Sequence, residues 1–183
     1  MLVEKYKNMK TFKLLLILTL AVTLFSCGSD DDNNVTSPNA DLLGSWNGTS
    51  IDGTSDGTIE EDGFTVPFTG TYTGSNINYS LTFTETPNNI TSQGTFDALG
   101  SIMLGGQTFT ENVTGETFLD STIATWTRSG GTLTISDDGA TDAYTMVITG
   151  NTMTLTISTT ETEIDEGTTT TSNLNLVASF IKQ

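Results

Sequence analysis

Apolar and polar residues alternate one for one through long stretches of this chain, and that period constrains the fold more than any other feature. Ile77, Tyr79, Leu81 and Phe83 are separated by Asn78, Ser80 and Thr82, and Tyr144, Met146 and Ile148 by Thr145 and Val147. Met153, Leu155 and Ile157 follow the same rule, as do Leu174, Leu176, Ala178 and Phe180. Successive side chains of an extended strand point to opposite faces, so each segment has one apolar and one wet side. Antiparallel sheets solvated on one side have this pattern. No window carries a capped helical period, and without crossover helices a parallel α/β enzyme fold is excluded. The 143 residues from Asp41 onward suffice for one domain. With a single cysteine in the chain, no internal disulfide can form and the core alone must hold the fold.

Turn residues fall between the alternating runs. Gly150-Asn151 and Asp138-Gly139 supply the positive φ angles of tight hairpins, while Ser129-Gly130-Gly131 and Thr86-Pro87-Asn88-Asn89 also break the chain. The pattern predicts strands near 43–51, 56–60, 65–73, 77–85, 91–98, 107–113, 121–127, 131–136, 142–149, 152–163 and 169–181, joined by sequential hairpins. The expected fold is an all-β, antiparallel up-and-down meander closed as a barrel, with a β-sandwich as the alternative. Threonine, 38 of the 183 residues, suits the outward positions, its branched Cβ fitting a strand and its hydroxyl fitting water. An ice-binding threonine array needs a repeat of fixed period, and none is present.

Charge narrows the partners. The chain has 22 acids, 6 bases and no histidine. From residue 27 onward, 21 acids face only Arg128 and Lys182, a net charge of −19 against −16 for the whole chain. Nucleic acid is excluded as a partner, because phosphate contacts need clustered Lys and Arg. Attachment to an anionic bilayer through a basic face fails for the same reason. Imidazole chemistry is absent with the histidines.

The first segment reads as an address. A basic stretch ending at Lys13 precedes the apolar run Leu14 to Phe25, whose 12 residues fall short of the roughly 20 a spanning helix needs. The run ends in Leu24-Phe25-Ser26-Cys27-Gly28, which resembles the lipobox of bacterial lipoproteins, with Phe25 a slight departure from the commonest pattern. The resemblance implies a signal peptide over 1–26, cleavage before Cys27, and acyl chains on Cys27 that hold a soluble domain on the membrane. Residues 27–40, with Asp30-Asp31-Asp32 directly behind the cysteine, have the composition of a solvated acidic tether. The acidic run resembles the surface-export signal of Bacteroidetes lipoproteins. That implies a place in the cell envelope, on the outer membrane and facing the cell surface; the alternative is a plain soluble linker.

Leu43-Gly44-Ser45-Trp46 opens the domain, and a Gly-x-Trp at this place is similar to the start of lipocalin-like domains. GTLTISDD and DAYTMVITGNTMTLTIS, with the final strand ending SFIKQ, resemble the small lipocalin-like lipoproteins of the same bacteria. The resemblance covers residues 43–48 and 131–182. It implies a 41–183 domain in which Gly44 and Trp46 are structural, a base packs on Trp46, and the interior holds a small apolar ligand. Of Arg128 and Lys182, Arg128 is the one preceded by an apolar strand and is the expected partner of Trp46. Tyr79, Leu81, Phe83, Tyr144, Met146, Ile148, Met153 and Leu155 are the candidate ligand-lining set, or else simply fill the interior. The family's helix beside the barrel has no counterpart here.

Other chemistry finds little support. Asp52, Thr54, Asp56, Gly57 and Glu60 space like a calcium loop, but Gly63 stands where a bidentate Glu is required, so a solvated hairpin loop is expected. Zinc, haem and iron–sulfur sites lack ligands, and no nucleophile motif occurs. Most carboxylates, among them Asp137, Asp138, Glu161, Glu163, Asp165 and Glu166, are expected in turns and tails. The expectation is therefore a monomeric, membrane-tethered, non-catalytic protein without cofactor or metal. It either carries an apolar ligand or, as the alternative, engages glycan or protein at the cell surface.

Overall fold

The computed structural model describes residues 38–119, 121–165 and 167–183, so the leader, Cys27 and the acidic tether up to residue 37 lie outside the described residues. Pro38–Leu42 form a turn in which Leu42 and Leu43 N–H groups donate to Asn39 O at 2.9 and 3.1 Å. Nine strands follow: β1 Gly44–Glu61, β2 Phe64–Phe83, β3 Asn89–Leu104, β4 Gln107–Glu116, β5 Ile123–Ser129, β6 Thr132–Asp137, β7 Ala140–Thr149, β8 Thr152–Asp165 and β9 Thr168–Lys182. None of the described residues is helical. The fold is all-β, a single antiparallel meander sheet.

The sheet runs β2-β1-β9-β8-β7-β6-β5-β3-β4, and an additional β2–β3 pairing brings the ladder back on itself. Eight strands thus form a ring, and β4 stands outside it on β3. Two strands share one side of β3: β4 pairs with Phe96 and Ala98–Leu104, whereas β5 pairs with Asn89–Thr91. The chain leaves β4, turns Phe118 and Leu119 inward, and resumes as β5 lower on the same neighbour. On the other side, β7 pairs with β8 only as far as Thr156. Below these two points the hydrogen bonding is closed; above them β4, β3, β2, β1, β9 and β8 continue as an open six-stranded extension.

The core occupies the closed part. Leu42, Trp46, Leu81, Ile90, Leu133, Met153 and Phe180 are fully buried, and Trp126, Phe83, Ile51 and Leu155 nearly so. Each such side chain contributes about 1.5–3 kcal/mol of transfer free energy. The alternation in the sequence is the reason: Tyr79, Leu81 and Phe83 of β2, Tyr144 and Met146 of β7, and Met153 and Leu155 of β8 all turn to one side. Two indoles find acceptors for their N–H groups, Trp46 on Leu42 O at 2.7 Å and Trp126 on Thr84 O at 3.0 Å. Phe118 closes the top of this cluster, its ring 5.5 Å from that of Tyr144 and 5.9 Å from that of Phe180.

Several local expectations are corrected. Segments expected separately at 43–51 and 56–60 are one strand, β1, and those at 65–73 and 77–85 are one strand, β2. The interruptions are bulges: β1 slips register between Gly48 and Ser50 against β9, and β2 slips between Ser75 and Asn78 against β3. Both lie where the ring opens into the extension, the kind of place where an extra residue re-aims a strand. Asp52–Glu61 is therefore strand, and only Asp62-Gly63 is turn. Glu161, Glu163 and Asp165 sit in β8 and not in a turn.

Candidate functional site

The residues expected to line a ligand cavity are packed into the core. Tyr79, Leu81, Phe83, Tyr144, Met146, Met153 and Leu155 are buried, and Ile148 packs partly buried against them. Tyr79 lies edge-on to Phe96 at 6.2 Å, and Phe83 edge-on to Trp126 at 5.9 Å, so aromatic rings pack against one another across this interior. Burial raises the Tyr79 hydroxyl to a pKa of about 12. Its Oη lacks a well-formed hydrogen bond, although Ser92 and the backbone of Phe118 and Leu119 lie beside it. Phe96, Phe118 and Trp126 join the same interior from shorter apolar runs, which the longest alternating segments do not include.

At the closed end the basic partner of Trp46 is Lys182, not Arg128. The register places Lys182 directly across from Trp46, with Nζ 5.2 Å from the ring centroid and donating to Asp41 O at 2.8 Å. Arg128 instead forms a two-pronged ion pair with Asp41, Nη1 to Oδ1 and Nη2 to Oδ2 at 3.1 Å. This hydrogen bond to Arg128 holds the Asp41 carboxyl below its ordinary value, against a partial desolvation that opposes it. Gly44, with φ at +109°, starts β1 in a backbone region that side chains disfavour. Both bases among the described residues are thus engaged around the first turn of the domain.

The extension is where the described surface has chemistry to spare, and register assigns its faces. On the outer face, one rung reads Ser158, Asn175, Thr54, Thr71, Ser101 and Thr110 across six strands. The next reads Thr160, Asn173, Asp56, Thr69, Met103 and Thr108. Ser158 donates to Asn175 at 3.2 Å, Thr160 to Asn173 at 2.8 Å, and Asn173 to Asp56 at 3.0 Å. A shallow depression of about 370 Å³ lies here, lined by Thr54, Asp56, Ser158, Thr160, Asn173 and Asn175 among others. These polar groups lock neighbouring strands together. The calcium-like set is spread along this strand: Asp52, Thr54, Asp56 and Glu60 share the outer face roughly 7 Å apart or more, while Gly57 faces the other way.

The inner face continues the core wall beyond the ring. Its rungs read Thr159, Leu174, Ser55, Gly70, Ile102 and Phe109, then Glu161, Ser172, Gly57, Phe68, Leu104 and Gln107, then Glu163, Thr170, Ile59 and Val66. Large side chains from flanking strands lie over the small residues of β1. A Cβ on Gly57 would meet Phe68 Cζ at 2.7 Å and press on the Thr171 carbonyl. Val66, Ile102 and Phe109 stay 38%, 42% and 47% exposed, and Phe64 at the tip 76%. Carboxylates rim this face: Glu161, Glu163 and Asp165 along the free edge of β8, Glu61 at the β1–β2 tip, Glu111 on β4. Desolvation, then repulsion from Glu163, raises the Glu161 pKa. Tyr72, at the inner end of the face, is pushed up to about 12 by burial and by the nearby charge of Glu116.

Comparison of the chain with protein-family models, with curated proteins and with solved structures finds no match in any of the three.

Proposed function

We propose that the chain is a lipid-tethered, non-catalytic interaction module of the bacterial cell envelope, with the open extension as its working surface. One observation carries the reading: the strands whose buried side chains make up the core run on into a sheet exposing two chemically different faces. A structural role alone does not call for apolar side chains left bare on one face of an otherwise polar extension. The tether follows from the lipobox-like Leu24-Phe25-Ser26-Cys27. The turn before β1 meets Trp46 through Leu42 O and Lys182 through Asp41 O, and β1 then rises roughly 60 Å to its tip at about 3.3 Å per residue. The lipocalin-like resemblance supports a ring-closed support; its cavity function is the part this reading gives up.

Two measurements test it together. Palmitate labelling should be lost in Cys27→Ala, and native mass spectra of protein purified from envelopes should show the acylated chain with no stoichiometric co-purifying lipid. A bound apolar molecule at one per chain would return the carrier function and overturn this reading.

A further inference from the structure

The inner face of the extension asks what covers it. We propose that it docks a cationic amphipathic peptide segment, an inference that rests on the extension being the working surface. Shape and charge agree on this occupant. Six strands at about 4.8 Å spacing span roughly 24 Å, and the ten residues of β1 beyond the ring span about 33 Å, enough for an amphipathic helix of about 20 residues laid on the sheet. Val66, Ile102 and Phe109 supply exposed apolar area in the middle and on the β4 side. Along β8, Glu161 and Glu163 stand two residues apart on the same face, and their mutual repulsion is part of what raises the Glu161 pKa.

No base among the described residues answers them. The only Lys and Arg among the described residues are Lys182 and Arg128, held at the opposite end by Trp46 and Asp41. A second copy would bring its own carboxylates to the contact, and an anionic bilayer would meet the same rim of like charge. A segment with apolar residues on one side and Lys or Arg at its border covers the apolar area and neutralises the rim in one step.

The test uses the full chain in detergent and three synthetic 20-residue helical probes: Leu/Lys, Leu/Glu and Ser/Lys. The expected result is saturable one-to-one binding of Leu/Lys by calorimetry, with Leu/Glu and Ser/Lys at least tenfold weaker. Glu161→Gln with Glu163→Gln should weaken Leu/Lys at least tenfold, and so should Val66→Thr with Phe109→Thr. Asp52→Asn with Asp138→Asn removes the same charge elsewhere and should leave affinity unchanged. Equal binding of Ser/Lys, or equal loss in the Asp52/Asp138 control, would reduce the effect to bulk charge and overturn the proposal. So would a dimer by sedimentation that dissolves in Val66→Thr/Phe109→Thr, or binding to anionic vesicles lost in the same variant. If no probe binds while native mass spectra still show no lipid, the cationic partner is refuted and the interaction-module reading stands.

Discussion

The two halves of the long strands share one backbone ladder and differ in what holds their side chains. In the closed half, alternation places an apolar residue from every strand in a common interior, and the ring leaves no edge. In the open half, β1 contributes Gly53, Ser55 and Gly57 to the inner face, so covering it falls to Leu176 and Phe68 of the neighbouring strands. The outer half is therefore held by ladder hydrogen bonds and cross-strand hydroxyl and amide pairs. Its two free edges, β4 and the end of β8, carry acids, which discourages pairing with other copies. Stability resides in one half and the exposed chemistry in the other.

The comparison breaks most readily at Trp126. Replacing this buried indole by Ala should cost about 3–5 kcal/mol in urea titration, whereas Ile102→Thr in the extension should stay within about 1 kcal/mol; equal losses would mean the extension is as tightly packed as the core. Next in size is Gly57→Val, expected to lose about 1–3 kcal/mol because Phe68 and the Thr171 carbonyl occupy the space; a neutral result would show that β1 and β9 separate easily there. Lys182→Met should lose about 0.5–1 kcal/mol and change the fluorescence of Trp46, with Arg128→Met no larger because its ion pair is partly exposed.

The smallest effect separates the halves by sign. The lowered Asp41 pKa favours the fold above its ordinary 3.8, a contribution lost as pH falls through the depressed folded value. Glu161 works in the opposite sense: its raised pKa means the fold holds that proton more tightly than the unfolded chain. Acidification from neutrality toward 4.5 therefore favours the fold until the unfolded chain is protonated too. Stability measured against pH should lose the second trend in Glu161→Gln and the first in Asp41→Asn. A trend that survives its variant refutes the assignment.

Much of this was legible in the residues. Period two marked the core strands, and Gly150-Asn151 and Asp138-Gly139 sit in the β7–β8 and β6–β7 turns. The extension was missed because its pattern is divided among strands. The stretch IDGTSDGTIEED has no inward apolar side chains past Ile51 until Ile59, so it resembles a loop until the neighbours that cover its glycines are known. The partner of Trp46 was misassigned because an apolar run before Arg128 is a local cue, while the choice depends on the β1–β9 register. The carboxylates of β8 could be placed on the inner face only once the β8–β9 register set Glu161 and Glu163 on the same side as Leu174.

The direction of β1 has a mechanical consequence. Trp46 lies at one end of β1 and the exposed tip at the other, so a load passed from the closed end of β1 to a neighbouring strand of the extension acts along the strands. The ladders that join β1 to β2 and β9 run nearly the full length of that line. Their hydrogen bonds would bear such a load side by side and not one rung after another. The long ladders therefore suit the molecule to resist traction along β1, the direction in which the proposed tether and partner would load it.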